Sequence, residues 1–209
     1  MLLGRVPDSS GAGGTMNGLL SSTIRGAVGF LSGALAIALA ALPEFVMKWP
    51  EKQGPPAWTF AVLILGVFLG GATGAVVLTW GAVSPGATIR AALGFGVGFV
   101  IAAFCALFSM ISLQAGKPEP LWGMIAFGIG FAIGGAIGAA FLSWRFLFAG
   151  ALCFGLAGAA GGYLFFLNAA HSSAAHGPYS TAAAIGALLI PFVFGGAAFG
   201  AAAAVGSET

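Results

Sequence analysis

Two histidines and an asparagine form the group of side chains in this sequence that comes nearest to a chemical site. Asn168, His171 and His176 cluster in the polar connection before the last apolar segment. Neutral imidazoles bind zinc, but a spacing of five residues in a Ser/Ala-rich loop matches no known zinc-ligand arrangement. We therefore interpret both histidines as solvated loop residues, and we predict no metal site and no cofactor.

Serine and carboxylate chemistry is also poorly supported. A serine hydrolase inside a membrane requires a serine and a histidine at the same depth, and Ser32 and Ser109 have no such partner. Glu44 lies only near the end of the first apolar segment, beside Pro43. The Gly-rich patterns fall within apolar runs rather than between a strand and a helix, which argues against a phosphate-binding loop. We predict no catalytic residue and no enzymatic activity.

Three arginines carry the remaining candidate chemistry, and two of them lie in a phrase that the chain repeats. TIRGAVGFLSG contains Arg25, and TIRAALGFGVG contains Arg90. Arg145 begins the fifth apolar segment out of register, because Phe154 holds the matched position. Arginine at a helix end extends its guanidinium toward phosphate headgroups, so we interpret all three as structural anchors. The alternative is a cytoplasmic ring of arginines that contacts an anion or an anionic lipid.

The composition indicates which surroundings the chain requires. Of its 209 residues 59% are hydrophobic and 6% are charged, whereas a soluble domain has about 25% charged residues. Most of the surface must therefore face something other than water. A net charge of +2 without a basic run excludes nucleic acid as a partner. Cys105 and Cys153 lie in apolar runs and are interpreted as small buried hydrophobic residues.

Long apolar segments separated by Pro-, Gly- or charge-containing breaks predict an all-α integral membrane protein with six transmembrane helices. The weakest break is the one at Ser143, Trp144 and Arg145, where a single long helix is the alternative. Residues 1–19 are expected to form a disordered tail, and translation from Met1 or from Met16 fits the sequence equally well. The six segments lie at about 22–47, 58–82, 87–113, 121–143, 146–169 and 180–205.

An internal repeat of about 64 residues organises these segments. A shift of that length places Trp58 on Trp122 and Trp80 on Trp144, and it also aligns the third segment with the fifth. We predict three helical hairpins, at about 20–83, 84–147 and 148–206, in a Gly-rich close-packed bundle. Successive two-helix units have the same orientation, so the hairpins are expected to surround an axis along the membrane normal.

Glycines at a spacing of four residues stack on one face of a helix and allow two backbones to approach closely. We expect this glycine-zipper packing within the bundle, whereas Gly123 lies off the row and is expected to tolerate a side chain. Tryptophans at both ends of the second and fourth helices are predicted interfacial anchors: Trp58, Trp80, Trp122 and Trp144. The predicted packing glycines are Gly29, Gly33, Gly66, Gly70, Gly74, Gly94, Gly98, Gly130, Gly134, Gly138, Gly158, Gly162, Gly196 and Gly200.

The basic residues are slightly more numerous on the side of the two termini, with four arginines there against three lysines on the other. This bias places both termini in the cytoplasm, for instance at a bacterial inner membrane. The lack of buried charge favours an accessory, assembly or lipid- or partner-binding membrane subunit. Its partners would be the lipid bilayer, an anionic lipid, and another membrane protein or a second copy. The alternative is a small-solute transporter or channel along the axis between the hairpins.

Overall fold

The computed structural model of the protein describes residues 11–46, 57–114, 120–174 and 181–206. These residues are almost entirely helical and contain no strand, which confirms the predicted all-α class with six helices. A short 3-10 helix, Trp144–Phe146, precedes the fifth α-helix. The helices are α1 Gly11–Val46, α2 Ala57–Thr79, α3 Pro85–Gln114, α4 Pro120–Leu142, α5 Leu147–Ala174 and α6 Thr181–Gly206.

The start of α1 differs from the expected boundary. The helix begins at Gly11, so that part of the segment expected to be a disordered tail is helical, whereas residues 1–10 lie outside the described residues. Once a helix is nucleated, each further residue adds one backbone hydrogen bond. The packed part of α1 therefore extends outward through a Gly- and Ser-rich stretch that has little tendency to nucleate a helix on its own.

Helix α2 ends at a glycine that adopts a conformation few other residues tolerate. Gly81 has a φ of 71°, in the left-handed region that glycine enters without a steric penalty. The backbone N–H of Ala82 donates to the Thr79 carbonyl at 3.0 Å and closes the turn. Ser84 then caps α3 through its carbonyl and hydroxyl oxygens, and Pro85 occupies the first helical position.

The connection from α4 to α5 shows that the weakest predicted break is real. Ser143 has extended backbone, with φ −163° and ψ 138°, and separates the two helices. A shift of 64 residues places Arg145 where the first connection has Gly81. Arginine disfavours the left-handed conformation, and here the chain turns through the 3-10 helix instead.

The six helices form a closed ring. Each helix packs on its two neighbours in chain order, and α6 packs on α1. The close pairs are antiparallel: on α3 and α4, Gly98 meets Gly134 while Gly94 meets Phe141. The two cysteines, Cys105 and Cys153, are free thiols of intermediate burial.

Glycine doublets allow each even-numbered helix to lie between two neighbours. In α4, a Cβ placed on Gly134 would lie 2.5 Å from the carbonyl oxygen of Gly98 in α3, and one on Gly135 would overlap the carbonyl oxygen of Gly150 in α5. Side-chain carbons essentially never approach other atoms below 3.0 Å. The first glycine of each doublet therefore faces the preceding helix and the second faces the next one in the ring. The doublets are Gly70–Gly71, Gly134–Gly135 and Gly195–Gly196.

The contacts of the fifth helix differ from the alignment expected from the sequence. Gly94 and Gly98 face the helix that follows α3, whereas Gly158 and Gly162 face α4, the helix that precedes α5. The matched glycines thus lie on different sides of their helices. Composition alone places glycine on glycine often in such a sequence, and the glycine match between α3 and α5 is not reflected in their contacts.

Gly123 also differs from its expected environment. It is buried, and a Cβ there would overlap the ring of Phe166 and lie 2.7 Å from the carbonyl oxygen of Gly162. The expectation that this position tolerates a side chain is wrong, because the α4–α5 contact extends to the first turn of α4. Gly86 is the suitable comparison, since its added Cβ would have nothing within 4 Å.

We expect Gly70→Leu and Gly134→Leu each to lower the midpoint of thermal unfolding in detergent. A leucine must separate two backbones that are now in contact, and overpacking a tight site costs about 1–3 kcal/mol. Gly86→Leu should leave the midpoint unchanged or raise it, because leucine is the better helix former. Equal midpoints for all three variants would contradict close packing at the two buried glycines.

Candidate functional site

Phenylalanine rings fill the axis of the helix ring. Phe30 of α1, Phe95 of α3 and Phe154 of α5 are fully buried. Their ring centroids are 5.3 Å apart for Phe30–Phe95, 5.0 Å for Phe30–Phe154 and 5.7 Å for Phe95–Phe154. The three helices are not neighbours in the ring, so contact between their side chains closes the centre. We call these three residues the aromatic triad.

The aromatic packing continues along the axis beyond the triad. The ring centroid of Phe99 lies 5.6 Å from that of Phe30 and 4.9 Å from that of Phe192. The centroid of Phe192 in turn lies 5.6 Å from that of Phe131. Phe199 contacts two members of the triad from α6, at 5.5 Å and 6.0 Å. Most of these pairs are edge-to-face or tilted, the arrangements that the aromatic quadrupole favours. At this depth the axis is therefore lined by rings from α1, α3, α4, α5 and α6.

The glycines provide the recesses into which the triad fits. A Cβ on Gly74 would overlap the ring of Phe30, and one on Gly196 would lie 2.5 Å from the same ring. A Cβ added to Gly195 would lie 2.6 Å from the ring of Phe154, and one added to Gly138 would overlap the ring of Phe95. Each ring thus occupies space that a side chain on an even-numbered helix would otherwise take. The packing is complementary, with small residues opposite large ones.

The polar groups that are described offer little for a solute to bind along the axis. Thr59 and Thr79 are the buried polar side chains among the described residues. The Thr79 hydroxyl donates to the Ala75 carbonyl at 2.7 Å and lies 3.3 Å from the Thr88 hydroxyl, where α2 meets α3. Ser32 and Thr73 likewise donate to carbonyls of their own helices.

Arg25 is bound to the end of the neighbouring helix. One of its terminal nitrogens, Nη1, donates to the backbone carbonyl of Trp80 at 3.1 Å, just after the last residue of α2. Carbonyls at a helix C-terminus lack a partner within the helix, and a cation there also interacts favourably with the helix dipole. The exposed guanidinium therefore acts as a cap that fixes α1 against α2.

Arg90 and Arg145 lie at the same end of the ring and are also exposed. Among the described residues, neither guanidinium forms a hydrogen bond or an ion pair. The carbonyl of Trp144, the counterpart of Trp80, accepts the backbone N–H of Leu147 instead. The three predicted arginines thus share one end of the molecule, but Arg25 alone of the three has a hydrogen-bond partner among the described residues.

The four predicted anchor tryptophans lie at the ends of α2 and α4, and all are exposed. Trp58 and Trp122 begin the two helices at one end, and Trp80 and Trp144 follow them at the other. The exposed fraction is lowest for Trp58 at 47% and highest for Trp144 at 77%.

The predicted packing glycines all lie inside the bundle. Gly66 is buried, and a Cβ at any of the other positions would come within 3.0 Å of an atom on a neighbouring helix. The residues whose added Cβ would make such a contact are Gly29, Gly33, Gly70, Gly74, Gly94, Gly98, Gly130, Gly134, Gly138, Gly158, Gly162, Gly196 and Gly200.

Several residues considered for chemistry lie where little is described. His176 lies outside the described residues, and the side chains of His171, Glu44 and Ser109 are not among those described. The Nδ2 atom of Asn168 is buried without a hydrogen-bond acceptor in the described part of the chain. No group of three or more metal-binding side chains occurs among the described residues.

The aromatic triad is the feature that sequence reasoning missed. The chain contains 19 phenylalanines, and the repeated phrase carries Phe30 and Phe95 at the same position. Phe154 lacks this signal, because the glycine-based alignment of α5 gives it a different register. Comparison with protein-family models, with curated proteins and with solved structures found no match for the chain.

We expect Phe154→Ala to destabilise the protein strongly, by about 3–5 kcal/mol, because it leaves a cavity among fixed rings. Phe148→Ala on the same helix is the matched control, since Phe148 is 77% exposed. Thermal unfolding in detergent measures both variants. Equal midpoints would show that the buried ring contributes no more to stability than the exposed one.

Proposed function

We propose that the chain is a multi-pass integral membrane protein with six spans and both termini in the cytoplasm. Four described helices are long and apolar enough to cross a membrane, and Leu189–Val205 is a shorter apolar segment. The four candidate spans are Ala61–Thr79, Pro85–Cys105, Pro120–Leu142 and Trp144–Asn168.

The outer surface of the ring supports a lipid environment. Large apolar side chains are exposed on all six helices, among them Leu39 at 66% and Leu156 at 70%. Monomeric soluble proteins rarely expose continuous apolar patches of this kind. The exposed tryptophans at both ends of α2 and α4 suit the two interfaces of a bilayer, where indole rings concentrate.

We further propose that the ring consists of three hairpin repeats around an axis along the membrane normal. The support is geometric. In each of the three doublets the first glycine contacts the preceding helix and the second contacts the next helix in the ring, which for α6 is α1. The triad supplies one phenylalanine from each odd-numbered helix. This arrangement needs a register for α5 in which Phe154, rather than Ala159, is the counterpart of Phe30 and Phe95.

The function best supported is that of a non-catalytic accessory or assembly subunit of a membrane. The observation that carries this proposal is the aromatic triad, because it fills the axis between α1, α3 and α5. A bundle whose centre is packed interacts with its surroundings through its outer surface. The partners in this proposal are membrane lipid and another membrane protein or a second copy of the chain.

A solute pathway is the second candidate, and one observation favours it. Pro191 is fully buried within α6, next to Phe192 on the axis. Proline removes one backbone hydrogen bond and introduces a kink at which a helix can bend. A bend there would move Phe192 relative to Phe99 and Phe131, so that the rings would act as a gate.

The topology predicts the activity of a reporter that works only in the cytoplasm. We expect activity when it is fused after Thr209 and none when it is fused after residue 116. The opposite pattern would reverse the orientation, and activity at both positions would contradict six spans.

The packed axis predicts that the purified protein does not make liposomes permeable. Fluxes of protons, small cations and glycerol should match those of empty vesicles of the same lipid composition. A flux above that background that Pro191→Ala abolishes would support the gated pathway instead. If the vesicles stay impermeable, copurification from the native membrane would identify the partner of the proposed subunit.

A further inference from the structure

The end of the ring that carries the arginines contains two corners related by the proposed repeat. In the first corner, Arg25 of α1 lies next to the end of α2 at Trp80. In the second, Arg90 lies in the first turns of α3, at the same end of the antiparallel α3–α4 pair as the C-terminus of α4, which Trp144 and Arg145 follow. We call the second one, formed by Arg90, Trp144 and Arg145, the arginine corner. We propose that the arginine corner binds the phosphate headgroup of an anionic phospholipid, an inference that rests on the proposed membrane location.

The two corners satisfy their backbone carbonyls differently. In the first, the guanidinium of Arg25 donates to the Trp80 carbonyl. In the second, the Trp144 carbonyl already accepts the N–H of Leu147 through the 3-10 turn. The arginine that capped a helix in one copy is therefore available to another acceptor in the other copy.

The change of turn also adds a second cation. In the aligned sequence Arg145 takes the position of Gly81, so this end of the α3–α4 pair carries two arginines where the corresponding end of the α1–α2 pair carries one. The α3–α4 contact places the two arginines at a similar depth along the bundle. Gly94 of α3 packs against Phe141 of α4, and a Cβ added to Gly94 would lie 2.5 Å from the Phe141 Cβ. One helical turn from this contact toward the end of the pair lie Arg90 on α3 and the Trp144–Arg145 region after α4.

The surrounding charge favours an anion. The described side chains include no carboxylate. Glu44 belongs to the last turns of α1, away from the arginines, and Glu51 and Glu119 lie outside the described residues. Asp8 and Glu208 also lie outside the described residues. Guanidinium groups donate paired hydrogen bonds to phosphate oxygens.

An exposed apolar strip next to the cations favours a lipid over a free anion. Phe148, Leu152 and Leu156 follow Arg145 along α5 at helical spacing, with exposed fractions of 77%, 62% and 70%. A phospholipid whose phosphate contacts the arginines can therefore lay an acyl chain along this strip. Trp144 is 77% exposed at the boundary between the two, a position suited to an amphipathic ring.

The experiment measures phosphatidylglycerol binding to the delipidated full chain in a neutral detergent, by native mass spectrometry, with phosphatidylcholine as the uncharged reference. We expect Arg90→Gln and Arg145→Gln each to weaken binding roughly fivefold, and the double variant to weaken it about 30-fold. Phosphatidylcholine binding should not change. The double Lys variant should retain a preference for phosphatidylglycerol because it keeps both positive charges. The unchanged phosphatidylcholine binding of the Gln variants excludes misfolding as the cause of their loss.

Arg25→Gln is the matched control, because it removes the same charge from the first corner. We expect this variant to bind phosphatidylglycerol as the parent does and to unfold at a lower temperature, since it loses the cap on α2. An equal loss of lipid binding in Arg25→Gln would overturn the proposal, because net charge would then be the cause. Unchanged binding in the double Gln variant would overturn it as well.

Two further outcomes separate the site from the proposed function. Inorganic phosphate that displaces the lipid at constant ionic strength would assign the corner to a free anion and overturn the lipid proposal. A chain that remains with the membrane after carbonate extraction but has no preference for phosphatidylglycerol would refute the site alone. A chain released by carbonate would refute the proposed membrane insertion itself.

Discussion

Close contact between helix backbones is the constraint on which the rest of the structure depends. An α-helix with its side chains is about 10 Å across, and six equal cylinders in a ring enclose room for a seventh. Glycines remove the side chains at the contacts, so neighbouring helices approach and the central space contracts. The space that remains is narrow enough for phenylalanine rings to fill. Without the glycine contacts, the aromatic triad would line a cavity.

The two residue types therefore depend on each other. A phenylalanine on an odd-numbered helix occupies the recess left by a glycine on an even-numbered one, as Phe30 does at Gly74 and Gly196. In the proposed membrane environment the hydrophobic effect does little to associate helices, and van der Waals contact between them becomes the main source of stability. Interlocking of small and large groups maximises that contact. It also makes the ring intolerant of added volume on either side.

Much of the helix pattern could be predicted from the sequence because apolar length and turn residues are local signals. The breaks at Gly81, at Ser143 and before α4 follow from residues that end or begin helices. One glycine of each doublet, namely Gly71, Gly135 or Gly195, was not among the predicted packing positions, because spacing four describes one contact face and these helices have two. Gly123 was misjudged because depth along a helix does not reveal what its neighbour places there.

Candidate site residues were harder to predict, since their roles depend on partners distant in sequence. The shared phrase around Arg25 and Arg90 suggested equal roles for the two arginines. Only the turn that follows each even-numbered helix separates them, and that turn depends on whether glycine or arginine stands at one position. The register of α5 was also beyond a glycine-based alignment, because phenylalanine contacts across the axis determine it.

The contact between α6 and α1 has a consequence for the order of the chain. Gly200 meets the backbone at Ser22, and Gly196 meets Gly26, so the first and last helices adjoin at the end where the chain starts and finishes. The ring itself has no seam at this point. A circular permutant that links α6 to α1 and opens the chain between two other helices would have the same six helix–helix contacts. During translation, by contrast, the face of α1 that packs on α6 stays uncovered until α6 has been synthesised.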